Sequence, residues 1–194
     1  HYLHRRQRQM CIRDRAWSIR WYKNMIGDCS ADVVSSTVPC STKWMVGTVN
    51  SFYIGIIATV IATALGTLAA LGLSRPHMPY KGLIMAILIS PMIVPLIITA
   101  AGMFFFYARI NLVYTFTGVI LAHVALATPF VVITVTATLV GFDMNMVKAA
   151  QSLGAKPMRT FFKVIMPLIL PGIISGALFA FITSFDEVVI VMFM

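Results

Sequence analysis

Four stretches of this chain contain no Asp, Glu, Lys or Arg: residues 44–74, 82–108, 110–142 and 164–185. Each reaches or exceeds the roughly 20 apolar residues a helix needs to cross about 30 Å of hydrocarbon. In lipid the backbone must satisfy its own hydrogen bonds, so only helices and closed barrels span. A barrel would show alternating segments of about ten residues, which these unbroken runs do not resemble. The sequence therefore predicts an all-α, polytopic integral membrane protein with four spanning helices. Composition agrees, since 11% of the 194 residues are charged, against about 25% in an ordinary soluble domain.

The net charge of +9 is unevenly placed. Residues 1–15, HYLHRRQRQMCIRDR, hold five Arg and one Asp and lack the apolar stretch of a signal peptide. They read as a non-native leader, a translated adapter scar, with a basic nucleic-acid-binding arm as the rival; no nucleic-acid partner is expected. Residues 16–43 read as an extracytoplasmic segment ahead of the membrane domain, 44–194. Trp17, Trp21, Tyr22 and Trp44 are suited to a membrane interface. Cys29 and Cys40 fit either a disulfide in an oxidising compartment or two free thiols. The four His, at 1, 4, 77 and 123, form no metal-ligand spacing. The chain stops inside the apolar run IVMFM, and the expectation is a truncated chain.

Basic residues set the orientation. Arg75 and Lys81 flank the turn after the first span, and the loop 141–167 holds Lys148, Lys156, Arg159 and Lys163. Both are expected to be cytoplasmic under the positive-inside bias. Arg109, in the link on the opposite side, most simply snorkels to outer headgroups. In the first span Gly47, Gly55, Gly66 and Gly72 permit close approach of neighbouring helices. Pro91 and Pro95 in the second span, and Pro129 in the third, free backbone carbonyls. The second span is thus either a kinked packing helix or one lining a pathway.

The loop 141–167 has a structure of its own. Asp143 or Asn145 can cap a short helix over 144–152, with Met146, Ala149, Ala150 and Leu153 on one face. Gly154 is placed to take positive φ and end it. Pro157 opens a second helix, 157–166, and Pro167 and Pro171 introduce the last span. Such a module either lies on anionic lipid or docks on a cytoplasmic protein.

The loop resembles the signature of ABC importer permeases, Glu-Ala-Ala, three residues, Gly, nine residues, Ile-x-Leu-Pro. Here Lys148-Ala149-Ala150, Gly154 and Val164-Ile165-Met166-Pro167 keep the full spacing, with Lys in place of Glu at 148. The resemblance covers roughly 17–194 and implies a type I ABC importer (MetI-like) transmembrane domain in a bacterial inner membrane. It also implies that Lys148, Ala149, Ala150, Gly154, Val164 and Pro167 form the ATPase-coupling loop. The implied partners are a cytoplasmic ATP-binding subunit, a second permease subunit, an extracytoplasmic solute-binding protein and membrane lipid. No GxxxxGK[ST] phosphate loop is present, so ATP and magnesium are expected to be used by the partner and not bound directly.

Within that family the chain is similar to spermidine/putrescine-type permeases, which carry a similar SFDE in the span after the loop. This makes Ser184, Asp186 and Glu187 candidate pathway residues. The acids sit in apolar sequence, where a charge costs about 2.5–3.5 kcal/mol at mid-span. They form either an interfacial pair at a helix end or an anionic lining for a cation. His123 reads as a hydrogen-bonded packing residue rather than a proton relay. The alternatives are a permease for ferric ion, thiamine or another small solute, an ion-coupled secondary carrier using Asp186 and Glu187, and a membrane scaffold.

Overall fold

The computed structural model describes residues 43–75, 78–141 and 145–194. The leader 1–15, the segment containing Cys29 and Cys40, and Asp143 lie outside the described residues. The chain divides into units 1–51 and 52–194; of the first, residues 43–51 are described and form the opening turns of α1. Among the described residues every regular element is helical: α1 Lys43–Leu73, α2 Lys81–Ile93, α3 Leu96–Arg109, α4 Phe116–Val140, α5 Asn145–Ser152, α6 Pro157–Thr160, a π-helical turn Phe161–Ile165, α7 Met166–Asp186 and α8 Val189–Phe193.

Three helices, α1, α4 and the continuous run Pro157–Asp186, are long and apolar enough to cross a membrane. Small residues determine how they meet. Along α7 the buried residues include Gly172, Gly176, Ala180 and Ser184, a stripe at every fourth position that brings the helix against α4. Gly172 faces Thr138, and Gly176 faces Thr134 and Val131. On α1, Gly55, Ala58, Ala62, Gly66 and Ala70 form the corresponding buried face. In lipid there is no apolar solvent gain to drive helices together, so such close backbone approach supplies the packing energy. The core that results joins Ala62 of α1, Val124, Ala127 and Val131 of α4, and Ala180 of α7. Of the first span's glycines, Gly55 and Gly66 make close approaches, while Gly47 and Gly72 meet nothing within 4 Å among the described residues.

These contacts fix direction. Tyr53 sets its ring edge-on to Phe116, 6.3 Å between centroids, and further along both helices Gly66 meets Val131, so α1 and α4 run parallel. Ser184 meets His123 while Gly172 meets Thr138, so α7 runs antiparallel to α4. The C-terminal ends of α1 and α4 therefore share one end of the bundle. Arg75, Lys81 and the basic loop lie at that end, the one expected to be cytoplasmic under the positive-inside bias.

The second span is not one helix. α2 and α3 meet at an angle of 103°, with Val94 (φ −73, ψ 135) and Pro95 (φ −53, ψ 130) both extended between them. Proline forces this conformation on the residue before it and fixes its own φ. Pro91 is carried inside α2; it cannot donate to the Ile87 carbonyl, and the Ser90 hydroxyl donates to that oxygen instead, at 2.7 Å. Because α1 and α4 are parallel, the segment between them must return from one end of the bundle to the other. The α2–α3 pair is therefore a broken span rather than a re-entrant loop, and four crossings result. Thr115 caps α4 by accepting from Gly118 N–H at 3.1 Å, as a threonine before a helix is suited to do.

Candidate functional site

The candidate residues fall at the two ends of α7. At the cytoplasmic end, α5 runs from Asn145 to Ser152, and Gly154 follows with φ 79. Gly154 N–H donates to Gln151 O at 2.9 Å and Ala155 N–H to Ala150 O at 3.1 Å. This pair of bonds is the Schellman closure, in which two otherwise orphaned carbonyls are satisfied through a left-handed residue that glycine adopts without a Cβ penalty. Lys156 then precedes Pro157, the first helical residue of α6.

One expectation for the loop needs correction. The predicted second helix, 157–166, is not a separate element: it runs through a π-helical turn into α7, giving one helix from Pro157 to Asp186. Pro167 has no N–H for the Lys163 carbonyl, and just ahead of it the ladder shifts, with Met166 N–H donating to Phe161 O. A π-turn absorbs such a break without ending the helix. The face shared by Met146, Ala149, Ala150 and Leu153 is largely the open one: Val147 is the buried residue of α5, which contacts α6 and the π-turn, whereas Met146, Ala149 and Leu153 are exposed and Ala150 is half-buried. Val147 was missed because the stripe 146, 149, 150, 153 draws the eye away from it; its signal was a β-branched apolar residue in an otherwise small and polar helix. Lys148 is exposed, Val164 half-buried and Pro167 exposed.

The outer end differs from a helix running through SFDE. α7 ends at Asp186, and Glu187 is extended, φ −79 and ψ 104. The chain then starts α8, whose Ile190 N–H donates to Glu187 Oε1 at 3.0 Å. Ile190 packs with Ala100 and Tyr107 of α3 and Ala122 and Leu126 of α4. Asp186 and Glu187 therefore do not share a helix: Asp186 is exposed on the last turn, and Glu187 is half-buried and engaged with the next element. Ser184 is buried against α4, its Oγ hydrogen-bonded to His123 Nδ1 at 2.7 Å. His123 is 3% exposed, and its Nε2 has no partner among the described residues. His123 is thus a packing residue with a hydrogen bond, as expected, and it is the partner of Ser184, which sequence alone could not pair across 61 positions.

The structure thus gathers Lys148, Ala149, Ala150, Gly154, Val164 and Pro167 at one end and Ser184, Asp186 and Glu187 at the other. The 21 residues of α7 separate the two sets by about 30 Å at 1.5 Å per residue, so they form two sites rather than one.

This architecture, an all-helical bundle with a basic loop at one end and a broken span, is that of a multi-pass membrane protein. The model of the family "binding-protein-dependent transport system inner membrane component" matches residues 37–194, and the chain belongs to that family and to the inner membrane. It is 34% identical over 142 residues to the spermidine/putrescine transport system permease protein PotC of Haemophilus influenzae, covering 73% of this chain and 55% of that one. It is 30% identical over 185 residues to the putrescine transport system permease protein PotI of Escherichia coli, covering 91% and 61%. It is also 33% identical over 142 residues to the trehalose transport system permease protein SugB of Mycobacterium tuberculosis, covering 73% and 52%. The chain spans about half the length of the curated relatives it matches. These relatives are transport permeases by name, not enzymes.

Proposed function

We propose that the chain is the membrane-spanning permease subunit of an ATP-driven importer and that its cargo is a polyamine such as spermidine or putrescine. The observation that carries the first part is the loop: an outward-facing α5, closed by Gly154 at positive φ, at the basic end of the bundle. An element of that kind is built to be held by another protein. Because α6, the π-turn and α7 form one rod, force applied at α5 and Val147 is delivered along α7 toward Ser184. In this reading two ATPase subunits hydrolyse ATP with magnesium, two permease subunits alternate in access, and an extracytoplasmic binding protein delivers the solute.

The cargo rests on different support. Two of the relatives above are named for polyamine systems, and the outer end presents the exposed carboxylate of Asp186. A polycation in low dielectric needs such charges to offset its own. The relative named for trehalose favours a second reading, the same importer with an uncharged or otherwise different small solute. The test uses the full-length permease with its ATPase, second permease and binding protein in vesicles. ATP hydrolysis is measured with spermidine, putrescine, trehalose, thiamine and ferric ion in turn. Stimulation by polyamines alone is expected; stimulation by another solute keeps the importer and replaces the cargo. Solute uptake that proceeds without ATP would put an ion-coupled carrier in its place.

A further inference from the structure

We infer that the partner surface holding α5 is two-sided, apolar against the Met146–Leu153 flank and lined with carboxylates against Lys148. The inference rests on the reading of the loop as an ATPase-docking element and adds to it the chemistry and orientation of the groove.

The geometry begins from Val147, the buried residue of α5. At about 100° per residue, Ala149 and Ser152 point nearly opposite to Val147 and form the crest of the helix. Met146 and Leu153 fall on one flank of that crest, and Lys148 on the other. Of the residues on the Val147 side Ala150 is half-buried and the longer Gln151 exposed, while Lys148, Ala149, Ser152 and Leu153 on the other sides are all exposed. Leu153 is 88% exposed and Met146 53%, two large apolar side chains on one flank, two turns apart. Burying them against a partner is favourable. The opposite flank carries Lys148, and the loop 141–167 holds Lys148, Lys156, Arg159 and Lys163 against a single acid, Asp143. Charge complementarity calls for acids on the surface that meets them.

The crest separates a protein groove from a lipid surface. Ala149 and Ser152 are short, so a rigid wall approaches the helix backbone closely between the two flanks. A bilayer surface gains nothing from that and rewards a lysine anywhere on the exposed face. In a groove with unlike walls, a helix rotated about its axis would bury Lys148 against apolar side chains and strand the acids, so the asymmetry sets one rotation.

The test measures affinity of the ATPase for the full-length permease complex in nanodiscs of neutral lipid and of anionic lipid, across a salt series. The variants are Lys148→Glu, Lys148→Ala, Leu153→Asp, and Lys148→Ala combined with Ser152→Lys, which moves the charge onto the crest. Each is an exposed-surface change, and thermal stability of the permease is read alongside. Lys148→Glu and Leu153→Asp are each expected to weaken binding about tenfold or more, equally in both lipids. The relocated lysine is expected not to restore it. Wild-type affinity falls with salt, and Lys148→Ala removes part of that dependence. If Leu153→Asp weakens binding but Lys148→Glu does not, the carboxylate wall is wrong and the docking reading survives. If the relocated lysine binds like wild type, or the Lys148→Glu defect occurs in anionic lipid alone, the lysine meets headgroups and the inference is overturned. If the ATPase binds every variant equally, both the inference and the docking reading fail.

Discussion

The two ends of α7 carry opposite charge, and they handle it in opposite ways. At the cytoplasmic end Lys148, Lys156, Arg159 and Lys163 are exposed, spread over a helix, a turn and the start of a second helix. At the outer end Asp186 and Glu187 are adjacent, yet a helix end separates them. Asp186 stays on the surface of α7, while Glu187 turns inward and accepts from the backbone of α8. The dispersed cations form an open basic surface, while the split acid pair combines one exposed carboxylate with one that organises the fold. Sequence neighbours need not share a task, and residues 61 positions apart, such as His123 and Ser184, do share one.

Both ends depend on the same middle, so the largest effect is expected there. A Cβ at Gly176 would lie 2.5 Å from Thr134 Oγ1 and 3.0 Å from the Val131 backbone, and backbone does not yield. Gly176→Leu should therefore separate α4 from α7 and destabilise the bundle by about 3 kcal/mol or more, lowering the thermal midpoint of the purified complex. Gly72→Leu, with open space beside it among the described residues, should change that midpoint little. Equal effects of the two would remove the small-residue stripe as the basis of packing.

Next comes Gly154→Val, which tests whether the loop end transmits motion. A β-branched residue at φ 79 is strained by roughly 1–2 kcal/mol or more. The expected result is an intact bundle whose ATP hydrolysis no longer drives uptake, with Gly154→Asn milder because Asn tolerates the left-handed region. Coupled uptake at wild-type rates in the Val variant would show that the turn carries no force.

The contrast between the ends also explains what the sequence revealed. Spans α1 and α4, the Gly154 turn and Pro157 at a helix start follow from local rules: charge-free length, a left-handed residue, a fixed φ. The bend at Val94–Pro95 was half legible, because two prolines signal a disturbed helix but not its 103° angle. The continuity of α6 into α7 was hidden because Pro167 reads as a boundary, whereas a π-turn carried the helix past it. The stripe Gly172–Gly176–Ala180–Ser184 was visible as spacing, but its meaning required knowing that α4 lies opposite. Glu187's turn toward Ile190 depended on α3 and α4 holding α8, which no local pattern states.

A smaller effect is expected at the buried hydrogen bond. Ser184→Ala removes the hydrogen-bond partner that His123 Nδ1 has among the described residues and leaves the imidazole less satisfied in an apolar setting. Membrane-buried hydrogen bonds are worth about 0.6 kcal/mol on average and up to about 1.7, so a modest fall in thermal stability should follow. Ser184→Thr, which keeps the hydroxyl, separates loss of the bond from loss of fit: recovery would assign the effect to the hydroxyl, and no recovery would assign it to the space beside Gly55.

The smallest change in stability, and the sharpest split between neighbours, is expected at the acid pair. A side-chain acceptor at a helix start is worth about 1 kcal/mol, and it needs an oxygen rather than a charge. Glu187→Gln should keep the bond to Ile190 N–H, while Glu187→Ala should release it, raising hydrogen exchange at the Ile190 amide in the second variant only. Asp186→Asn should leave that amide protected and lower polyamine uptake, because the exposed carboxylate is the one a cation can meet. Uptake falling as far in Glu187→Gln as in Asp186→Asn, with Ile190 still protected, would mean that both carboxylates face the solute and that the helix break does not divide their roles.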